Sequence, residues 1–186
     1  NFSARRFIQK SRKEFSQFTL KNGIPVTIKN SSSKNTATVM LSIAGGELLF
    51  AEKNAGLASV LANSLSAMIQ WQLDELYKTG KLNSQASVNA RTNSENSVLT
   101  VNCSAKDINA CLEAMAYCTI FGDISPALAD GISYDLRTQW RIKTGSADFQ
   151  LLCEAARTIY EKPVSALYED TKDKPAQMEF TEIQAA

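Results

Sequence analysis

The sequence predicts an α+β fold: an antiparallel sheet with helices packed on one face. Three observations carry that expectation. Strand-like runs arrive as hairpins, one pair around Asn22-Gly23 and a second around the segment 92–95. Helical patterns come in blocks between and after these hairpins, the arrangement of an α+β domain rather than of a parallel α/β one. The chain is 186 residues long with 44% apolar residues, ordinary for a soluble globular protein and long enough to bury one real core.

The elements follow in order. Runs 15–20 and 24–29 read as strands, because Asn-Gly between apolar runs is a hairpin signal in which both turn positions tolerate positive φ. Pro25 makes its strand an edge or delays the ladder. A polar, Ser-rich loop spans 30–35, and Thr36–Ala44 alternates and is rich in Val, Ile and Thr, so it is the clearest strand. Gly45-Gly46-Glu47 ends it. A helix is expected over 56–70, with Leu57, Leu61, Leu65 and Met68 on one face and Ser59, Ala62 and Asn63 together on a neighbouring one. A second helical stretch over 72–78 stops at Gly80. Strands are expected over 86–91 and 96–104. The span 107–121 is a helix with an apolar face at Ile108, Cys111, Leu112, Met115, Cys118 and Thr119. Ser125-Pro126, N-cap and N1, starts a long helix to about residue 143. Ser146 starts another over 147–161, ended by Pro163. Residues 1–14 form a basic arm, and 15–186 a single domain.

Charge and composition exclude several chemistries. The chain contains no histidine, which removes the commonest zinc ligand and the commonest general base at neutral pH. Net charge is +1, but Arg5, Arg6, Lys10, Arg12 and Lys13 all precede the first acid, Glu14. No aromatic platform or glycine-rich phosphate loop accompanies this arm. It therefore reads as a solvated leader or a lead-in to the first strand, and no nucleic-acid partner is expected. The four cysteines, Cys103, Cys111, Cys118 and Cys153, show no Cys-x-x-Cys pair and read as small core hydrophobes. A disulfide from Cys103 or Cys153 to a helix cysteine stays open. No apolar run is long enough for a membrane span. No signal peptide is visible, and an exported location stays open if a leader is removed before Asn1. The chain begins at Asn1 and ends at Ala186, one turn past the N-cap candidate Thr181. It is expected to be part of a longer polypeptide, incomplete at its C-terminus.

Four motifs in order resemble the pitrilysin/insulinase family of zinc metallopeptidases, which includes mitochondrial processing peptidase. Leu20-Lys21-Asn22-Gly23-Ile24-Pro25-Val26 is similar to that family's opening hairpin. Ala44-Gly45-Gly46-Glu47 resembles its Ala-Gly-Ser-x-x-Glu turn. Asn54-Ala55-Gly56-Leu57-Ala58 resembles the lead-in to its zinc helix. Asn89-Ala90-Arg91-Thr92-Asn93-Ser94-Glu95 resembles the edge strand on which members lay a peptide substrate.

The resemblance also implies where the chain departs. In the inverted motif His-x-x-Glu-His, Ser59 and Asn63 replace the two histidine ligands and Ala62 replaces the glutamate base. In Leu136-Arg137-Thr138-Gln139-Trp140-Arg141, Gln139 takes the place of the later glutamate ligand, with Asp135 the nearby acid. Neutral hydroxyl and amide oxygens are poor zinc partners, and alanine moves no proton. No zinc and no cofactor are therefore expected. What is expected is a non-catalytic peptidase-type domain that shapes a chamber or binds extended peptide along Ser87, Val88, Asn89, Ala90, Arg91 and Thr92. It would serve a second peptidase-like domain or subunit, with a peptide or protein as the bound partner. Two alternatives stand beside it. One is a structural or assembly module without a substrate role. The other is a hydrolase with a new nucleophile at Ser59 or a cysteine, which needs a lysine base such as Lys53.

Overall fold

The computed structural model describes residues 15–30, 35–50, 56–148, 151 and 155. The basic arm, Lys53, Cys153, Pro163, Thr181 and most of the helix expected over 147–161 lie outside the described residues. The chain divides after Asn35 into two compact units.

The first unit is a hairpin of β1 (Phe15–Thr19) and β2 (Pro25–Lys29), antiparallel, with Phe15 opposite Lys29 and Thr19 opposite Pro25. Its turn differs from the expected two-residue type. Gly23 alone has positive φ, at 87°, and Asn22 does not. Gly23 N–H donates to the Leu20 carbonyl, Leu20 N–H to the Ile24 carbonyl, and Ile24 N–H to Asn22 Oδ1. The three-residue loop puts its one left-handed residue at glycine, where no Cβ opposes it.

The second unit holds a three-stranded antiparallel sheet in the order β3 (Thr36–Ala44), β5 (Asn96–Ser104), β4 (Ser87–Thr92). Thr36 faces Ser104 across β3–β5, and Ser87 faces Asn102 across β4–β5. A short helix α1 (Glu47–Phe50) precedes α2 (Leu57–Lys78); α3 (Ile108–Phe121) and α4 (Pro126–Thr144) follow the sheet. The alternation of β3 is literal: Ala37, Val39, Leu41 and Ile43 pack inward, while Thr36, Thr38, Met40 and Ser42 are exposed. Leu99, Val101 and Cys103 of β5 meet Ile69 and Leu73 of α2 and Cys111, Ala114, Met115 and Cys118 of α3. The helices thus cover one face of the sheet, as the period-2 and period-3.6 patterns require.

α2 differs from its expectation in two ways. It is one helix of 22 residues, without a break at Trp71. Trp71 is exposed, Ile69 and Leu73 one turn apart are both fully buried, and nothing there removes a backbone donor. Its apolar stripe also serves two cores. Leu65 and Met68 join the sheet core, whereas Leu57, Val60 and Leu61 pack with Ala129, Ile132 and Leu136 of α4. A helix buried on two sides reads in sequence like one with a single broad stripe.

The three described cysteines are free thiols inside the sheet core. Among the described residues no helix is long and apolar enough to cross a membrane.

Candidate functional site

The sequence-predicted site lies at the start of α2. Gly56, with φ 92°, is the residue before the helix and offers no side-chain cap. The cap comes instead from Glu47, in the turn that ends β3. Its carboxylate accepts Gly56 N–H at 3.0 Å and Ser59 N–H at 3.1 Å, and Ser59 Oγ donates to it in a short hydrogen bond. An anion at these orphan donors is where the helix dipole favours one. Asn63 Nδ2 turns back to the Ser59 carbonyl at 2.8 Å. Ser59 and Asn63 are half-buried, and Ala62 between them is buried. The structure therefore joins Ser59 and Asn63, but through the backbone of their own helix and not around an open centre.

Glu47 is held in place by its own backbone. Gly45 N–H donates to the Glu95 carbonyl and Glu47 N–H to the Asn93 carbonyl, tying this turn to the β4–β5 turn. Gly46 lies so close that a Cβ there would overlap the Asn93 carbonyl oxygen and press on Asn96 N. Only glycine fits, for want of space and not of φ.

Gln139 and Asp135 are exposed on α4. Among the described residues no group of three His, Cys, Asp or Glu side chains comes close enough to hold a metal ion.

The second candidate element is β4. Among the described residues it pairs only with β5, so its other side is a sheet edge. The β4–β5 register continues into the turn, where Asn93 N–H donates to the Asn96 carbonyl. Backbone groups alternate sides along a strand. Ser87, Asn89 and Arg91 therefore bond to β5, and Val88, Ala90 and Thr92 present their N–H and C=O groups outward. Val88 N–H is met by Gln70 Oε1 at 2.8 Å, and Gln70 Nε2 donates to the Ala86 carbonyl at 3.1 Å. Ser87, Asn89 and Arg91 side chains are exposed on the helix-free face.

Sequence reasoning missed three polar side chains. Glu47 stands in a quoted motif, but its capping of a helix that begins ten residues later is a tertiary contact. Gln70 is an amide among the apolar residues Met68, Ile69 and Leu73 of α2, a weak signal that it meets a backbone. Asp107, in the 3-10 turn Ala105–Asp107, accepts from Asn83 N at 3.1 Å, from Asn83 Nδ2 at 2.5 Å and from Ser84 N at 3.2 Å. These bonds, those from Asn83 first, hold its carboxyl below the usual range. It ties the loop after α2 to the start of α3.

The comparisons with known proteins agree with this architecture. A family model described as insulinase, peptidase family M16, matches residues 25–160, most of the chain. No curated protein matches the sequence. Among 77 matching solved chains is the crystal structure of a peptidase M16 inactive domain from Pseudomonas fluorescens. It superposes with a TM-score of 0.72 at 10% identity, over 92% of this chain and 42% of that one. At that identity the likeness is one of fold. The present chain spans well under half of the matched chain's length.

Proposed function

The chain belongs to the insulinase family of peptidases, family M16, and from that premise we propose that it is a non-catalytic domain of the family, one that holds extended peptide and does not cut it. In this reading it helps shape a chamber with a second peptidase-like domain or subunit, and the peptide lies along Ser87, Val88, Asn89, Ala90, Arg91 and Thr92.

The observation that carries the reading is how the polar groups at the start of α2 are spent. In the family this helix would bring two imidazoles and a carboxylate base to zinc. Here Ser59 Oγ is given to Glu47, Asn63 Nδ2 to a backbone carbonyl, and Ala62 has nothing to give. Glu47 itself satisfies two backbone N–H groups of the helix start. The donor set does not fit zinc, which takes three N, O or S ligands and keeps one position open. It does not fit a serine nucleophile either, since the carboxylate that accepts the Ser59 proton is already committed to the backbone. The inactive-domain description of the Pseudomonas fluorescens structure is in keeping with this.

The edge of β4 supplies the positive half of the proposal. Outward main-chain groups such as those of Ala90 and Thr92 are what strand addition uses, with affinity from backbone pairing. The test is peptide binding by the 186-residue chain and by its Ala90→Pro variant. Ala90 N–H points away from β5, so proline there removes an outward donor and leaves the β4–β5 ladder intact. Binding that is lost in the variant with an unchanged circular dichroism spectrum supports the reading. Unchanged binding, peptide hydrolysis by the chain, or one zinc per purified untagged chain would each overturn it.

One observation favours the assembly reading as a second. At the end of α3, Tyr117, Ile120 and Phe121 are 58%, 69% and 71% exposed, with the two rings 5.7 Å apart. Clustered exposed apolar side chains on one helix face suit a protein contact. A chain that binds no peptide but gains a partner through this face would establish it.

A further inference from the structure

Sheet edges in proteins are guarded, and the guard on β4 is partial. Its outward row of main-chain groups runs from Ala86 through Val88 and Ala90 to Thr92. One side chain takes the Ala86 carbonyl and the Val88 N–H. Gln70 reaches from α2 and presents its carboxamide as a neighbouring strand's peptide group would, with Oε1 accepting Val88 N–H and Nε2 donating to the Ala86 carbonyl. Nε2 also donates to Asp74 Oδ1 at 2.8 Å, one helical turn on. Asp74 and the Ala86 carbonyl both need a donor, and Val88 N–H needs an acceptor. Only one orientation of the amide serves all three, so it is pinned. Ala90 and Thr92 have no such cover: among the described residues no side chain or backbone group bonds their outward N–H or C=O groups.

We propose, resting on the reading of β4 as a peptide-docking edge, that Gln70 is the register stop of that edge. An incoming extended segment pairs with Ala90 and Thr92 and is excluded from Val88 by an amide that already holds its N–H. The site then recognises a short stretch of backbone, and the peptide's position is set from one end. Arg91 lies between the two pairing residues, exposed, and among the described residues no carboxylate pairs with it. A peptide carrying an acidic side chain is therefore the suitable probe.

The experiment is amide hydrogen exchange by NMR on the 186-residue chain, with and without a fluorescein-labelled nine-residue peptide of Thr-Val repeats with a central Glu. Anisotropy of the label gives the Kd. In the free chain Val88 exchanges slowly, and Ala90 and Thr92 exchange fast. The probe slows Ala90 and Thr92 and leaves Val88 as it was. In Gln70→Ala, Val88 becomes fast in the free chain and is protected by the probe. The Kd falls roughly fivefold, the worth of about one added backbone hydrogen bond. Gln70→Met, which keeps the bulk but loses both bonds, must show the same release of Val88 if the alanine variant does not fold. No protection of Ala90 and Thr92 by the probe overturns the docking reading itself. Protection there, with Val88 exchange and the Kd unchanged in the Gln70 variants, overturns the register stop alone.

Discussion

Removing the Glu47 carboxylate tests how this helix start is held. Glu47→Ala deletes the acceptor for two backbone N–H groups, Gly56 and Ser59, and for the Ser59 hydroxyl. The residue before the helix is glycine, so no other side chain takes over. Loss of an N-cap costs about 0.5–2 kcal/mol. Loss of a negative charge from a half-buried helix N-terminus adds up to about 2 kcal/mol. Part of this is recovered by water at the exposed side, leaving an expected loss of about 2–3 kcal/mol. Ser59→Ala removes only one donor and should cost about 1 kcal/mol. In the Glu47→Ala background that second substitution should cost much less, giving a coupling of roughly 0.5–1.5 kcal/mol. Equilibrium urea unfolding of the four proteins, read at constant m-value, measures all of this. A Glu47→Ala chain within about 0.5 kcal/mol of the parent, or strict additivity with Ser59→Ala, would refute the capping argument.

Asp107 has its folded pKa below its unfolded value, so its contribution is present above the unfolded pKa of about 3.9 and lost as pH falls through the folded one. Asp107→Asn should lower Tm at pH 7, and the gap to the parent should narrow as acid protonates the Asp107 carboxyl; a gap that stays equal into acid would contradict this. Gly46→Ala should lower Tm by more than ten degrees or prevent folding, because the new Cβ meets backbone of the β4–β5 turn that cannot step aside. A Tm within a few degrees of the parent would show that the turn yields. Burial pushes the Cys111 thiol up to about 12, with Cys103 beside it adding to the shift, and burial raises Cys118 as well. Both should resist alkylation at pH 8 until the chain is unfolded, and because their folded pKa values exceed the unfolded ones, stability should fall as pH rises above about 9. Rapid labelling of either under native conditions, read by mass spectrometry, would place it outside the core.

Much of this protein was legible locally. The strand at Thr36–Ala44, the hairpin partner at Asn96–Ser104 and the helix opened by Ser125-Pro126 stand within a residue or two of where period and caps put them. Those three elements are written in consecutive residues, because side-chain alternation, helical spacing and N-caps act over a few positions. The edge position of the strand holding Asn89 to Thr92 was implied by the family resemblance alone, and the sheet order places that strand at an edge. The absence of histidine, and of any charged side chain at 59, 62 and 63, is likewise a fact of sequence alone.

What tertiary structure decided is where each polar group went. Nothing near Glu47 in the chain marks it as the cap of a helix that begins ten residues later. The Asn22-Gly23 turn took a three-residue form because β1 and β2 chose a register that needs one positive φ, not two. α2 ran straight through the expected break because Trp71 faces outward while Ile69 and Leu73, one turn apart, both enter the sheet core. Gln70 became part of a strand edge because the sheet lies beside its helix. Sequence dictates which groups need partners; only the packed chain brings a carboxylate to a bare helix end or an amide to an open edge, since those distances are set by everything folded between them.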